Sequence, residues 1–152
     1  MGKIKIYAKS IIIPVLVGVI VGIITSKFID YETLQKPFLA PPSIVFPIIW
    51  TILYIFMGIS YGILKSNSKI DSATDFVYYL QLGINGLWSI FFFVLKWRLF
   101  AFIWILLLAG LVILMIIQFY NKNKTAGLLQ IPYLLWLLFA SYLNLGVCIL
   151  NR

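Results

Sequence analysis

Three groups of side chains in this sequence have the types and spacing to build a site. Trp50, Tyr54, Met57 and Tyr61 stand at offsets 0, 4, 7 and 11, and Gln81, Asn85, Trp88 and Phe92 repeat those offsets. Trp136, Ala140 and Leu143, with Asn144 beside them, form the third group. On a helix turning about 100° per residue, each set of four stays within an arc of roughly 60° and shares one face. The chemistry on offer is recognition. Aromatic rings present flat π-surfaces, and amides present a few orienting donors, which together suit a large, flat, apolar ligand. The competing reading is plain packing, with rings filling space and amides bonding helix to helix. The residue types alone leave both open.

What is missing narrows the chemistry. The chain has no His and one cysteine, Cys148, and its four acids (Asp30, Glu32, Asp71, Asp75) fall in connections between apolar runs. There is therefore no imidazole base or haem ligand, no His or Cys metal site and no intrachain disulfide. No carboxylate is expected near mid-membrane for a proton relay or cation path. Neither a metal nor a resident cofactor is expected. Indole redox chemistry is what remains, with Trp50 and Trp136 as the candidate catalytic groups.

The elements that must position these groups are set by charge placement. All sixteen charged residues lie at the edges of five uncharged windows: Lys9 to Lys27, Lys36 to Lys65, Asp75 to Lys96, Arg98 to Lys122 and Lys124 to Arg152. Each window holds at least seventeen residues rich in Ile, Leu, Val, Phe and Trp. A hydrocarbon layer about 30 Å thick needs roughly 20 apolar residues as helix, so each window holds one span with snorkelling ends. A 63% hydrophobic and 11% charged composition and a mean hydropathy of +1.07 agree. Lipid offers the backbone no partners, so the fold class is an all-α membrane protein, a single five-helix transmembrane bundle over residues 1–152. The lysines ahead of the first apolar run resemble a signal peptide, but no small-x-small cleavage pattern follows, and a retained first helix is expected.

Helices are expected near Lys5–Ser26, Ser43–Leu64, Asp75–Leu95, Leu99–Asn121 and Thr125–Leu150. Prolines 37, 41 and 42 make the first connection a stiff extended segment, with Ser43 as N-cap of the second helix. Gly18-xxx-Gly22 permits close helix approach within or between chains. The N-terminal face, face A, carries Lys3, Lys5, Lys9, Lys65, Lys69, Lys122 and Lys124; face B carries Lys27, Lys36, Lys96, Arg98 and Arg152. Seven against five favours a cytoplasmic N-terminus. These cations form no contiguous stripe, so the partner they imply is the anionic surface of a lipid bilayer and no nucleic acid. At about 1.5 Å per residue, Trp50 lies roughly 10 Å below face B, Trp88 and Asn144 roughly 12 Å, and Trp136 near the midplane. Trp97, between two cations, reads as an interfacial anchor.

The motifs themselves look familiar. Lys36-Pro37-Phe38-Leu39-Ala40-Pro41-Pro42, Val45-Phe46-Pro47 and Trp50-Thr51-Ile52-Leu53-Tyr54 with Met57-Gly58 resemble the signature of the translocator protein family. These are the TspO tryptophan-rich sensory proteins, related to the peripheral-type benzodiazepine receptor. Gln81-Leu82-x-x-Asn85-x-x-Trp88-Ser89-x-x-Phe92 is similar to the family's second block, and Pro132-Tyr133-Leu134-x-Trp136-x-x-Phe139-Ala140-Ser141-x-Leu143-Asn144 to its third. The resemblance implies a five-helix bundle, commonly a homodimer, in a membrane such as the bacterial cell membrane. It implies a porphyrin, bound as ligand and not as prosthetic group, in a pocket beneath the first loop. By motif match Trp50, Trp88, Trp136, Ala140, Leu143 and Asn144 line that pocket. The faces add Tyr54 and Asn85, with Lys27, Lys36, Pro37, Phe38, Pro41 and Pro42 as rim and lid.

Departures from the family pattern matter. Phe38-Leu39 stands where many members carry Trp, and the fourth helix lacks an acid often found there. The sterol motif needs a cation within five residues after a Tyr, whereas Tyr142 is followed first by Arg152. Sterol binding is not expected. The leading function is a membrane sensor or carrier for tetrapyrroles, the ring stacking on Trp50, Trp88 and Trp136 and its propionates meeting Lys27 or Lys36. The alternatives are light-dependent porphyrin degradation by pocket indoles, and a scaffold without ligand.

Overall fold

Uncharged runs of this length can satisfy their backbone in lipid only as helix, and helix is what they form. The computed structural model describes residues 2–151; Arg152, assigned above to face B, lies outside them. The helices are α1 (Gly2–Thr25), α2 (Val45–Ser66), α3 (Ser72–Ser89), α4 (Arg98–Lys122), a short α5 (Lys124–Leu128) and α6 (Ile131–Leu150). A π-helical turn, Ile90–Val94, continues α3, and two 3₁₀ turns, Ser26–Phe28 and Tyr31–Thr33, follow α1. Joined end to end they give five spans long and apolar enough to cross a membrane, each within three residues of its expected ends.

Four local features depart from expectation. The last span is interrupted at Leu129–Gln130, because Pro132 in the first turn of α6 has no N–H to continue the ladder from α5. Helix α3 starts three residues early: Asp71 caps it, its carboxylate accepting from Thr74 N at 2.8 Å. Asp75 thus lies inside a span's first turn, where its Oδ1 accepts from Tyr61 Oη at 2.6 Å. Ser43 does not cap α2; Ile44 holds that position without a side-chain bond, and Ser43 contributes its carbonyl to Phe46 N.

The core runs the length of the bundle. Met57, Leu64, Ile105, Val112, Met115, Phe119 and Leu137 are fully buried, with α4 packed between α3 and α6 and α1 lying chiefly on α2. Gly58 sets that last crossing. A Cβ built there would stand 2.4 Å from Ile11 Cα, so only glycine lets the two backbones touch. The amides face inward, since an amide against lipid is costly. Tyr54 Oη donates to Asn85 Oδ1 (2.5 Å), Asn85 Nδ2 to Tyr133 Oη (2.7 Å), and Tyr133 Oη to Gln81 Oε1 (2.8 Å).

The first connection is folded back on the bundle instead of extended. Ala40 N closes a turn onto Pro37 O at 3.3 Å with Leu39 at φ 73°. Pro37 packs where a side chain on Gly146 would be, and Tyr142 Oη donates to Phe38 O at 2.5 Å. Gln35 and Asn151 exchange backbone and side-chain bonds at 2.9 and 2.8 Å. Asp30 bonds Arg98 Nη2 at 2.8 Å and Lys96 Nζ at 3.0 Å. Partial burial works against the ionised Asp30 carboxyl, but the Arg98 and Lys96 hydrogen bonds and charges outweigh it and hold its pKa below the ordinary 3.8. On face A, Lys122 beside Asp71, at 2.9 Å, and the Thr74 amide hold that carboxyl far below the ordinary range.

Gly58→Leu is expected to lower the melting temperature in detergent, at a cost of at least about 1–3 kcal/mol, because backbone must move. Gly110→Ala, with nothing within 4 Å of the added methyl, is expected to leave it unchanged or raise it slightly. For Asp30 the folded pKa is depressed, so its stabilisation is complete above 3.8 and lost as pH falls through the lower folded value. Melting curves of the protein and of Asp30→Asn should therefore differ at neutral pH and converge in acid.

Candidate functional site

A cavity of about 710 Å³ lies among α1, α2, α3 and α6 under the first connection. Its volume falls within the range of roughly 300–1,000 Å³ seen for small-molecule sites. From α2 come Phe46, Trp50 and Tyr54; from α3, Asn85, Trp88 and Ser89; from the π turn, Phe92 and Phe93. The π turn Ile90–Val94 carries both of these phenylalanines, a winding that often marks functional sites. Helix α6 supplies Ala140, Leu143, Asn144 and Val147.

Rings pair along the walls. Trp50 stacks on Tyr54 with centroids 5.6 Å apart, and Trp88 on Phe92 at 5.2 Å. Trp88 is held in place by a relay: its Nε1 donates to Asn144 Oδ1 at 2.9 Å, and Asn144 Nδ2 donates to Arg98 O at 2.9 Å. The Arg98 guanidinium stands 5.1 Å over the Phe92 ring while its Nη2 holds Asp30. Loop anchor and cavity wall are thus one bonded assembly. Asn85 and Asn144 each use one N–H and one oxygen lone pair on Tyr54, Tyr133, Trp88 and Arg98, and so hold the walls in place. The Trp50 indole N–H and the Ser43 and Ser89 hydroxyls make no hydrogen bond among the described residues and border the cavity, where they stand as donors without partners.

Of the residues singled out by sequence, Trp50, Tyr54, Asn85, Trp88, Ala140, Leu143 and Asn144 border the cavity. Trp136 does not. It packs edge-on to Phe46 at 5.8 Å, one layer behind the wall, with its Nε1 buried and without a partner among the described residues. Phe46, in the first turn of α2, takes the place expected for Trp136. Of the two indoles considered for redox chemistry, only Trp50 borders the cavity.

The lid residues also sit differently. Lys27, Lys36, Pro37, Phe38, Pro41 and Pro42 form the outer layer of the loop, and the inner roof is Ile29, Tyr31, Ser43 and Ile44. Phe38 is 82% exposed. Lys36 is turned inward on its own loop, donating to Tyr31 O at 3.0 Å and Leu34 O at 3.3 Å with its ammonium 4.8 Å over the Tyr31 ring. Tyr31 donates to Pro41 O at 2.5 Å; burial first, and the Glu32 charge second, push its phenol pKa up. Lys27 is exposed and without an ion pair among the described residues.

Sequence reasoning missed the fourth wall. Val15, Gly18, Gly22 and Thr25 of α1 border the cavity at offsets 0, 3, 7 and 10. The signal was Gly18-xxx-Gly22, read only as a packing motif. Gly18 does admit a neighbour, since a Cβ there would stand 2.6 Å from the Tyr54 ring, but Gly22 has nothing within 4 Å and opens onto the cavity.

The family model described as TspO/MBR matches residues 10–150. Tryptophan-rich protein TspO of Archaeoglobus fulgidus is 43% identical over 80% of this chain and 79% of its own length. A translocator protein homolog of Schizosaccharomyces pombe is 34% identical over 97% and 93%, and the translocator protein of Ovis aries 36% over 75% and 70%. With its five spanning helices and a match over nearly its full length, this multi-pass integral membrane protein belongs to the TspO/MBR family.

Proposed function

We propose that the protein is a membrane-embedded sensor or carrier that binds porphyrin-type tetrapyrroles and similar flat apolar molecules in the cavity under its first connection. The observation that carries this reading is a hollow of about 710 Å³ with an indole from each of two neighbouring helices on its walls, each stacked on a second ring. A planar macrocycle gains most from such surfaces, because offset stacking and apolar burial act together. The donors are few, as a mostly hydrocarbon-like ligand requires. Propionates would emerge at the face B rim, where Lys27 is exposed and forms no ion pair among the described residues while Lys36 is engaged within the loop. The names of the relatives, which include a tryptophan-rich sensory protein and translocator proteins, accord with binding and signalling.

Titrating protoporphyrin into purified protein should quench tryptophan fluorescence at micromolar concentration. Ala140→Leu, which adds bulk at the cavity wall, is expected to weaken binding at least about tenfold while the melting temperature holds. Trp136→Phe, one layer out, is expected to change affinity by less than about twofold. Absence of quenching in the unaltered protein, or equal effects of both substitutions, would overturn the assignment of the ligand to this cavity.

A further inference from the structure

A second hollow, of about 360 Å³, opens between α1, α2 and α3 at face A, the end of the bundle away from the first connection. We propose that it is a site for the phosphate of an anionic phospholipid headgroup. Lys3 and Lys124 are exposed and lie outside this hollow, and the other cations of face A divide into two kinds. Lys122 is paired with Asp71 at 2.9 Å, and Lys69 Nζ donates to Lys122 O at 2.8 Å. Lys5, Lys9 and Lys65 form no ion pair and no side-chain hydrogen bond among the described residues, and all three line the hollow. Asp75 is the carboxylate among its lining residues, and Tyr61 Oη bonds one of its oxygens at 2.6 Å. Three ammonium groups against one carboxylate leave a formal surplus of two positive charges.

The convergence is built by packing and does not come from sequence proximity. Gly58 of α2 lies against Ser10 and Ile11, and Gly62 against the Tyr7 ring. In that antiparallel register the next turn of α2 brings Lys65 level with the first turn of α1, beside Lys5. The backbone contact fixes where the three lysine side chains emerge, around one hollow. Their mutual repulsion is relieved by an anion, and at this depth the anion at hand is a lipid phosphate, the chemistry that basic pockets between membrane helices select.

The same face of α1 says why the phosphate should carry acyl chains. Lys5, Lys9, Ile12 and Leu16 stand at offsets 0, 4, 7 and 11, so the cations sit directly above aliphatic side chains. Ile12 and Leu16 are 52% and 49% exposed. A headgroup held by the lysines would lay its chains down that stripe, which a soluble phosphate cannot use.

The test is retention of lipid by the full chain, read by native mass spectrometry, with phosphatidylglycerol, phosphatidylcholine and inorganic phosphate offered separately. The expected result is one phosphatidylglycerol retained per chain in preference to phosphatidylcholine. Lys9→Gln/Lys65→Gln should weaken that retention about thirtyfold, at roughly one surface-lysine contribution each. The charge-matched Lys3→Gln/Lys124→Gln, whose lysines are exposed and outside the hollow, should weaken it less than about threefold. Equal losses in the two variants would reduce the effect to general surface charge and overturn the site. Saturation by inorganic phosphate without preference for lipid would overturn the headgroup assignment. No porphyrin enters the experiment, so its outcome is independent of the function proposed for the other cavity.

Discussion

Tyr54, Asn85, Tyr133 and Gln81 pass hydrogen bonds from α2 to α3 to α6 through the middle of the bundle, and the rest of the architecture follows from their arrangement. In a membrane, helices gain little from burying one apolar face against another, because lipid is as apolar as leucine. Rotation about each helix axis is then set by groups that lipid cannot satisfy. An amide turned outward loses its partners, so Asn85 and Gln81 point α3 at its neighbours, and Tyr133 does the same for α6. Trp50 and Tyr54 on α2, Trp88 on α3 and Ala140 on α6 face one hollow because the polar positions beside them leave their helices no other orientation.

Small residues decide how near the helices come. Gly58 lets α1 rest backbone to backbone on α2, while Gly18 receives the Tyr54 ring and Gly22, one turn on, leaves space empty. A single helix thus changes from tight contact to cavity wall along its length. Gly146 does the corresponding work at the roof, making room for Pro37 so that the first connection can lie down on α6.

The two membrane faces use charge differently. At face B, Asp30 ties Lys96 and Arg98 to the loop, and the backbone of Arg98 in turn fixes Asn144 and through it Trp88. Ion pairing there is part of the cavity's support. At face A, one carboxylate is spent on a helix cap and Lys122, and another on Tyr61, leaving a group of lysines without acidic partners around the second hollow.

Five spans, their ends to within three residues and the inward direction of the amides were legible in the sequence, because hydrocarbon thickness and the cost of a bare amide in lipid act on each helix separately. Seven of the eight residues expected to meet a ligand border the cavity, because helical periodicity places side chains on a common face whatever the neighbours do. Trp136 does not, since its stripe is right but Phe46, from a different helix, stands in front of it. The fourth wall on α1 was not legible, since a glycine pair reads the same whether a partner fills the gap or leaves it open. The loop's folded form, Ser43 without a capping role and the gathering of Lys5, Lys9 and Lys65 likewise depend on how α1, α2 and α6 meet. Sequence alone determined what each helix must bury; which groups then share a space is a distance between helices, and only the tertiary structure decides it.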